Sequence, residues 1–147
     1  MRTRMLPALC CLLFIAFMLG CAKTGSTPAD RFPAPPDAIG FASGKELPFV
    51  TGSYRWHNAI ADAPSPDNLV KNTTVYSVKP DAELTLTFRG KEPKEVTAGL
   101  WENGAFIPLP GEGNRFRLPS KPGSYVLTVI TKWPDNDRAE YSAAIEV

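Results

Sequence analysis

Apolar and polar residues alternate with a period of two over most of this chain beyond residue 39, as they do in strands buried on one face. Ala82, Leu84, Leu86 and Phe88 interleave with Glu83, Thr85 and Thr87, between the turn residues Lys79-Pro80-Asp81 and Arg89-Gly90. Val96, Ala98 and Leu100 share one face of the next strand, which ends in Glu102-Asn103-Gly104. Asn-Gly is the strongest short-range hairpin signal, so residues 105–109 are expected to return as the partner strand. Pro108 puts that strand at a sheet edge, because it cannot donate to a ladder. Phe116 and Leu118 alternate with Arg115 and Arg117; Tyr125, Leu127 and Val129 follow. Trp133-Pro134-Asp135-Asn136-Asp137 then turns the chain into Ala139, Tyr141, Ala143, Ile145 and Val147. Residues 45–51, 52–56 and 74–78 read as further strands. No stretch beyond the leader holds a helical period for three turns. The pattern predicts an all-β domain over residues 39–147 with about seven to nine short strands, an antiparallel sandwich or a small β-barrel.

The segment Pro122-Gly123-Ser124-Tyr125-Val126-Leu127-Thr128-Val129 narrows this choice. It resembles strand F of immunoglobulin-like domains, where a corner tyrosine bonds back across the turn. Leu127 takes the inward position that antibody domains give to cysteine. The expected fold is therefore an immunoglobulin-like antiparallel β-sandwich, with the small β-barrel as the alternative.

The N-terminus follows another logic. Arg2 and Arg4 precede an apolar run from Leu6 to Leu19, the plan of a secretory signal. At about 14 residues the run is short of the ~20 that a spanning helix needs. It closes on Phe17-Met18-Leu19-Gly20-Cys21, which resembles a bacterial lipobox, although Met18 stands where Leu is usual. That resemblance implies cleavage before Cys21 and a diacylglyceryl group on its thiol. An uncleaved anchor, or ordinary cleavage near Ala22, are the competing readings. Residues 21–38 hold Pro28, Pro33, Pro35 and Pro36 with few apolar side chains, so they read as a tether. In polyproline II geometry it would reach on the order of 50 Å. The expected location is the cell membrane, lipid-anchored, at its extracytoplasmic face, or an outer membrane in a Gram-negative cell.

Counting residues excludes much chemistry. Net charge is +1, and charges of both signs alternate without a basic block, so no nucleic-acid footprint exists. All cysteines (Cys10, Cys11, Cys21) lie in the leader or at its end, which removes disulfides and a Cys nucleophile from the domain. His57 is the single histidine. A hydrolase would have to be built on it with Ser53, Ser65 or an aspartate such as Asp62 or Asp67, and no Gly-x-Ser-x-Gly elbow is present. Asp135-Asn136-Asp137 offers oxygens to calcium, but a hairpin tip wants the same residues. No metal or cofactor is expected, and no catalysis.

The tryptophans are the candidate binding surface, with His57. Trp101 has the opposite parity to Val96, Ala98 and Leu100, which points it away from the core. Trp133 lies at a hairpin tip, and Trp56-His57 opens the long segment 58–71, read as a loop. Aromatic groups at loop tips anchor protein partners or stack on sugar rings; the bland reading is that Trp101 and Trp133 pack under neighbouring loops. The expected function is a non-catalytic binding or structural module whose partner is a cell-wall glycan or an envelope protein.

Two further resemblances bear on this. Gly52-Ser53-Tyr54-Arg55-Trp56, Pro64–Val70, Val78-Lys79-Pro80, Lys94–Thr97 and Leu100–Gly104 are similar to a group of small lipoproteins of Gram-positive spore-formers. Those carry cysteines after the tryptophan, where this chain has His57–Asp62; the similarity implies location and fold. Gly111-Glu112-Gly113 and Lys132-Trp133-Pro134 sit where chagasin-like protease inhibitors carry two contact loops. Here the Trp-Pro order is reversed and lysine replaces arginine. Protease inhibition is the alternative function it implies.

Overall fold

A computed structural model describes residues 33–147. The leader, Cys21 and most of the tether lie outside the described residues. The strands are β1 (Ala38–Ala42), β2 (Lys45–Pro48), β3 (Val50–Trp56), β4 (Ala59–Ala61), β5 (Val75–Ser77), β6 (Glu83–Phe88), β7 (Glu95–Glu102), β8 (Ala105–Pro108), β9 (Gly111–Glu112), β10 (Arg115–Arg117), β11 (Ser124–Lys132) and β12 (Arg138–Glu146). Among the described residues one short α-helix, α1 (Pro66–Val70), and a 3-10 turn at Pro134–Asn136 interrupt them.

The strands form two sheets, ordered β2-β1-β6-β10-β9 and β4-β3-β12-β11-β7-β8, with β5 added in parallel beside β12. Each sheet keeps two free edges, so the domain is an open sandwich and not a barrel. From β6 onward the chain alternates between sheets: β6, β9 and β10 lie in the first, β7, β8, β11 and β12 in the second. That alternation is the connectivity of an immunoglobulin sandwich. The corner tyrosine is present, with the Tyr125 hydroxyl donating to the Lys121 carbonyl at 2.9 Å. Leu127, two residues on, is fully buried.

The core lies between the sheets. Leu47, Leu84 and Leu86 from the first sheet meet Leu127, Val129, Tyr141 and Ile145 from the second. These are the inward positions of the period-2 pattern, and their burial is the main stabilising term. Burial pushes the Tyr141 phenol well above its ordinary range. Its O–H donates to the Pro36 carbonyl at 2.7 Å, so residues just before β1 are already tied to the core.

The pattern misjudged three details. Residues 45–51 are not one strand. The chain breaks at Phe49, after Pro48, and β2 and β3 join different sheets. Segment 58–71 is not a bare loop, because β4 pairs with β3 and α1 follows. Pro66 suits the first turn of α1, but five residues are too few to show a helical period. Finally, α1 packs across the outer face of β3, β11 and β12. Beneath it Gly52, Thr128 and Ser142 are buried, although alternation assigns that face to solvent. A Cβ on Gly52 would meet the Glu140 carbonyl at 3.2 Å and the Leu69 Cδ2 at 3.4 Å, so the helix needs a small residue there.

The two ends of the sandwich are distinct. At one end Ala38 pairs with Phe88, and Lys132 pairs with both Glu95 and Arg138. The Arg89 N–H donates to the Asp37 carbonyl at this end, so the chain enters the fold here. The other end holds the β7–β8 turn, where Asn103 and Gly104 both have positive φ, at 50° and 80°. That geometry is the type I′ turn that Asn-Gly foretells. Pro108 lies on the edge strand β8, as its chemistry requires.

Candidate functional site

Two of the three tryptophans are not surface groups. Trp133 is 3 % exposed and Trp56 7 %, which overturns their place in the candidate binding surface. The cause is the aromatic packing available at the entry end. Trp133 meets Trp56 edge-to-face at 4.9 Å and Phe88 edge-to-face at 6.1 Å, the arrangement that ring quadrupoles favour. Its indole N–H donates to the Lys91 carbonyl at 3.0 Å, so the ring enters the core with its polar atom satisfied. Lys91 also sets its ammonium 6.0 Å over the Trp56 ring. Of the 132–134 loop, Lys132 faces solvent and pairs with Glu95 at 2.9 Å, while the tryptophan points inward.

His57 is exposed, but its partner is neither Asp62 nor Asp67. The turn from β3 into β4 puts His57 at φ 53°, a left-handed conformation uncommon for non-glycine residues though histidine is among those that adopt it most readily. Asp137 holds it there. One carboxylate oxygen accepts the His57 N–H at 2.7 Å, and the other lies 3.4 Å from Nδ1. Asp137 is 3 % exposed, and Oδ2 has no hydrogen bond. The residue thus locks the β11–β12 turn onto the β3–β4 turn, and it is not offered to calcium with Asp135 and Asn136. Among the described residues no group of three or more His, Cys, Asp or Glu is placed to hold a metal ion. Ser53 is also engaged, its hydroxyl accepting the Ala63 N–H at 3.0 Å.

Trp101 is different. It lies on the outer face of β7, as its parity foretold, and remains partly exposed. Its indole N–H donates to the exposed Asp67 carboxylate at 3.0 Å, across from α1. The Ser65 hydroxyl beside that carboxylate, with neighbouring backbone N–H groups and the indole, holds Asp67 below the usual carboxylate range. Ser65, Asp67, Trp101, Asn103 and Gly104 line one concavity of about 400 Å³. Phe106 pairs with Trp101 in the β7–β8 register. Its ring lies over Gly99, where a Cβ would come within 2.5 Å of it. An aromatic plate rimmed by a carboxylate, a hydroxyl and an amide therefore occupies the end opposite to chain entry.

Sequence reasoning found Trp101 but not its setting. The sequence pattern sets Asp67 only beside His57 and makes Asn103 only a turn former. The available signal was the closeness of Trp101 to the Asn103-Gly104 tip; the contact with α1 depends on the path of the chain. Protein-family models, curated proteins and solved structures give no match to this chain. Function is therefore read from side chains.

Proposed function

We propose that this chain is a lipid-anchored extracytoplasmic lipoprotein whose sandwich is a non-catalytic binding module of the cell envelope. The observation that carries the reading is Trp101, a partly exposed indole held by Asp67 at the end remote from chain entry. A tethered domain offers that end most freely to a partner. The anchored half rests on the leader, Gly20-Cys21 and the proline-rich spacer. Two acyl chains on Cys21 are what stable membrane attachment takes. The partner is an envelope component, a cell-wall glycan or a protein.

Two measurements on the full chain test this. The wild-type protein is expected to carry an acyl adduct and to partition with membranes, and Cys21→Ala to lose both. An unacylated mature mass would remove the anchor. A photo-crosslinker placed at exposed Glu102, beside Trp101, is expected to capture an envelope component in cells, whereas one at exposed Ile60 captures none. Equal capture at both positions, or at neither, counts against a binding end.

A further inference from the structure

We infer that the Trp101 concavity is a carbohydrate subsite that takes an uncharged sugar ring of an envelope glycan; this rests on the binding-module reading above. A sugar ring has a C–H face and a rim of hydroxyls, so its complement is a flat apolar plate with donors and acceptors around it. Trp101 supplies the plate. Because its N–H is already committed to Asp67, the indole is held in one orientation before a ligand arrives, which lowers the entropy cost of binding. The second Asp67 oxygen accepts, the Ser65 hydroxyl keeps one lone pair after donating to Asp67 and accepting from the Asn68 amide, and the Asn103 amide both donates and accepts. All line the same space as the ring.

Polarity separates this from a protein-binding hot spot. Hot-spot tryptophans sit in apolar surroundings that exclude water. Asp67, Asn103 and Gly104 are all exposed, so this indole sits in a wet polar rim. Charge selects further. With the Asp67 carboxylate on the rim of the concavity, an anionic polymer would be repelled at contact distance. A neutral ring, such as an N-acetylhexosamine, is not. The volume of about 400 Å³ falls within the range of small-ligand sites.

The test is a titration of the full chain in detergent with an N-acetylglucosamine tetramer, followed by the three indole N–H signals in NMR. The Trp101 signal is expected to shift and saturate while those of Trp56 and Trp133 stay fixed, because both are buried at the far end. Trp101→Ala is expected to weaken binding about tenfold or more, the scale of losing one stacked ring. Trp101→Phe keeps a ring and retains part of the affinity, which guards against a folding defect in the alanine variant. A still Trp101 signal at millimolar sugar, or equal affinity in Trp101→Ala, overturns the carbohydrate assignment. If sugar binding is absent yet Glu102 still cross-links to an envelope protein, the subsite falls and the binding module stands.

Discussion

Trp133 and Trp101 stand at opposite ends of one sandwich, and each donates its indole N–H over 3.0 Å. The acceptors differ. Trp133 gives its proton to a backbone carbonyl behind Trp56 and Phe88, whereas Trp101 gives its own to an exposed carboxylate. Identical donors at identical distances therefore lie in a closed core at one end and at a partly exposed surface at the other. What separates them is the neighbourhood. Apolar rings close over Trp133, whereas the polar residues beside Trp101 leave it partly exposed. A hydrogen bond says little about role until the burial of its partners is known.

The sharpest way to break this comparison is to remove each ring. Trp133→Ala empties a core position and is expected to cost about 3–5 kcal/mol, read as a fall in the urea midpoint at unchanged slope. Trp101→Ala should cost less, about 1–2 kcal/mol, since it loses one exposed hydrogen bond and a side chain that is only partly buried. Similar losses from the two would mean that Trp101 is also a core residue, and would remove its claim to a binding role.

Asp137 ranks next. Replacing it by Ala leaves the part-buried His57 N–H without its protein acceptor, at a cost of about 1 kcal/mol. Asp137→Asn keeps an acceptor oxygen and should lose less. The contrast sharpens the picture of the entry end, where the carboxylate is a clamp between two turns. If Asn were as damaging as Ala, the contact of the second carboxylate oxygen with the imidazole Nδ1, at 3.4 Å, would be the larger contribution.

These two ends also show why one part of the molecule was legible and another was not. The long strands β6, β7, β11 and β12 announce themselves because each sets apolar residues at every second position along most of its length. The hairpin at Asn103-Gly104 and the corner at Tyr125 are equally plain, being local chemistry. Exposure at turns is not local. Trp133 looks like a loop tip, yet Trp56 and Phe88, far away in sequence, gather over it. Thr128 and Ser142 look like a solvent face, yet α1 covers them. The pairing of Trp101 with Asp67 spans 34 residues and rests on a helix too short to detect. Parity finds the face of a strand; it cannot say what will lie on it.

The smallest effect expected is also the most specific to the open end. Asp67 is ionised more readily in the folded chain than in the unfolded one, with the Ser65 hydroxyl as the largest cause and Trp101 a lesser one. The sign follows from linkage: a depressed carboxyl adds stability above its unfolded pKa, and that increment is lost as pH falls through the folded value. Because Asp67 is fully exposed, solvent screens the effect, and global unfolding is a poor way to see it. A carboxyl NMR titration is the direct measurement. Ser65→Ala should raise the Asp67 pKa more than Trp101→Phe does, and both should raise it. A reversed order would make the indole the main anchor of the carboxylate, tying the plate and its rim together more tightly than the hydroxyl does.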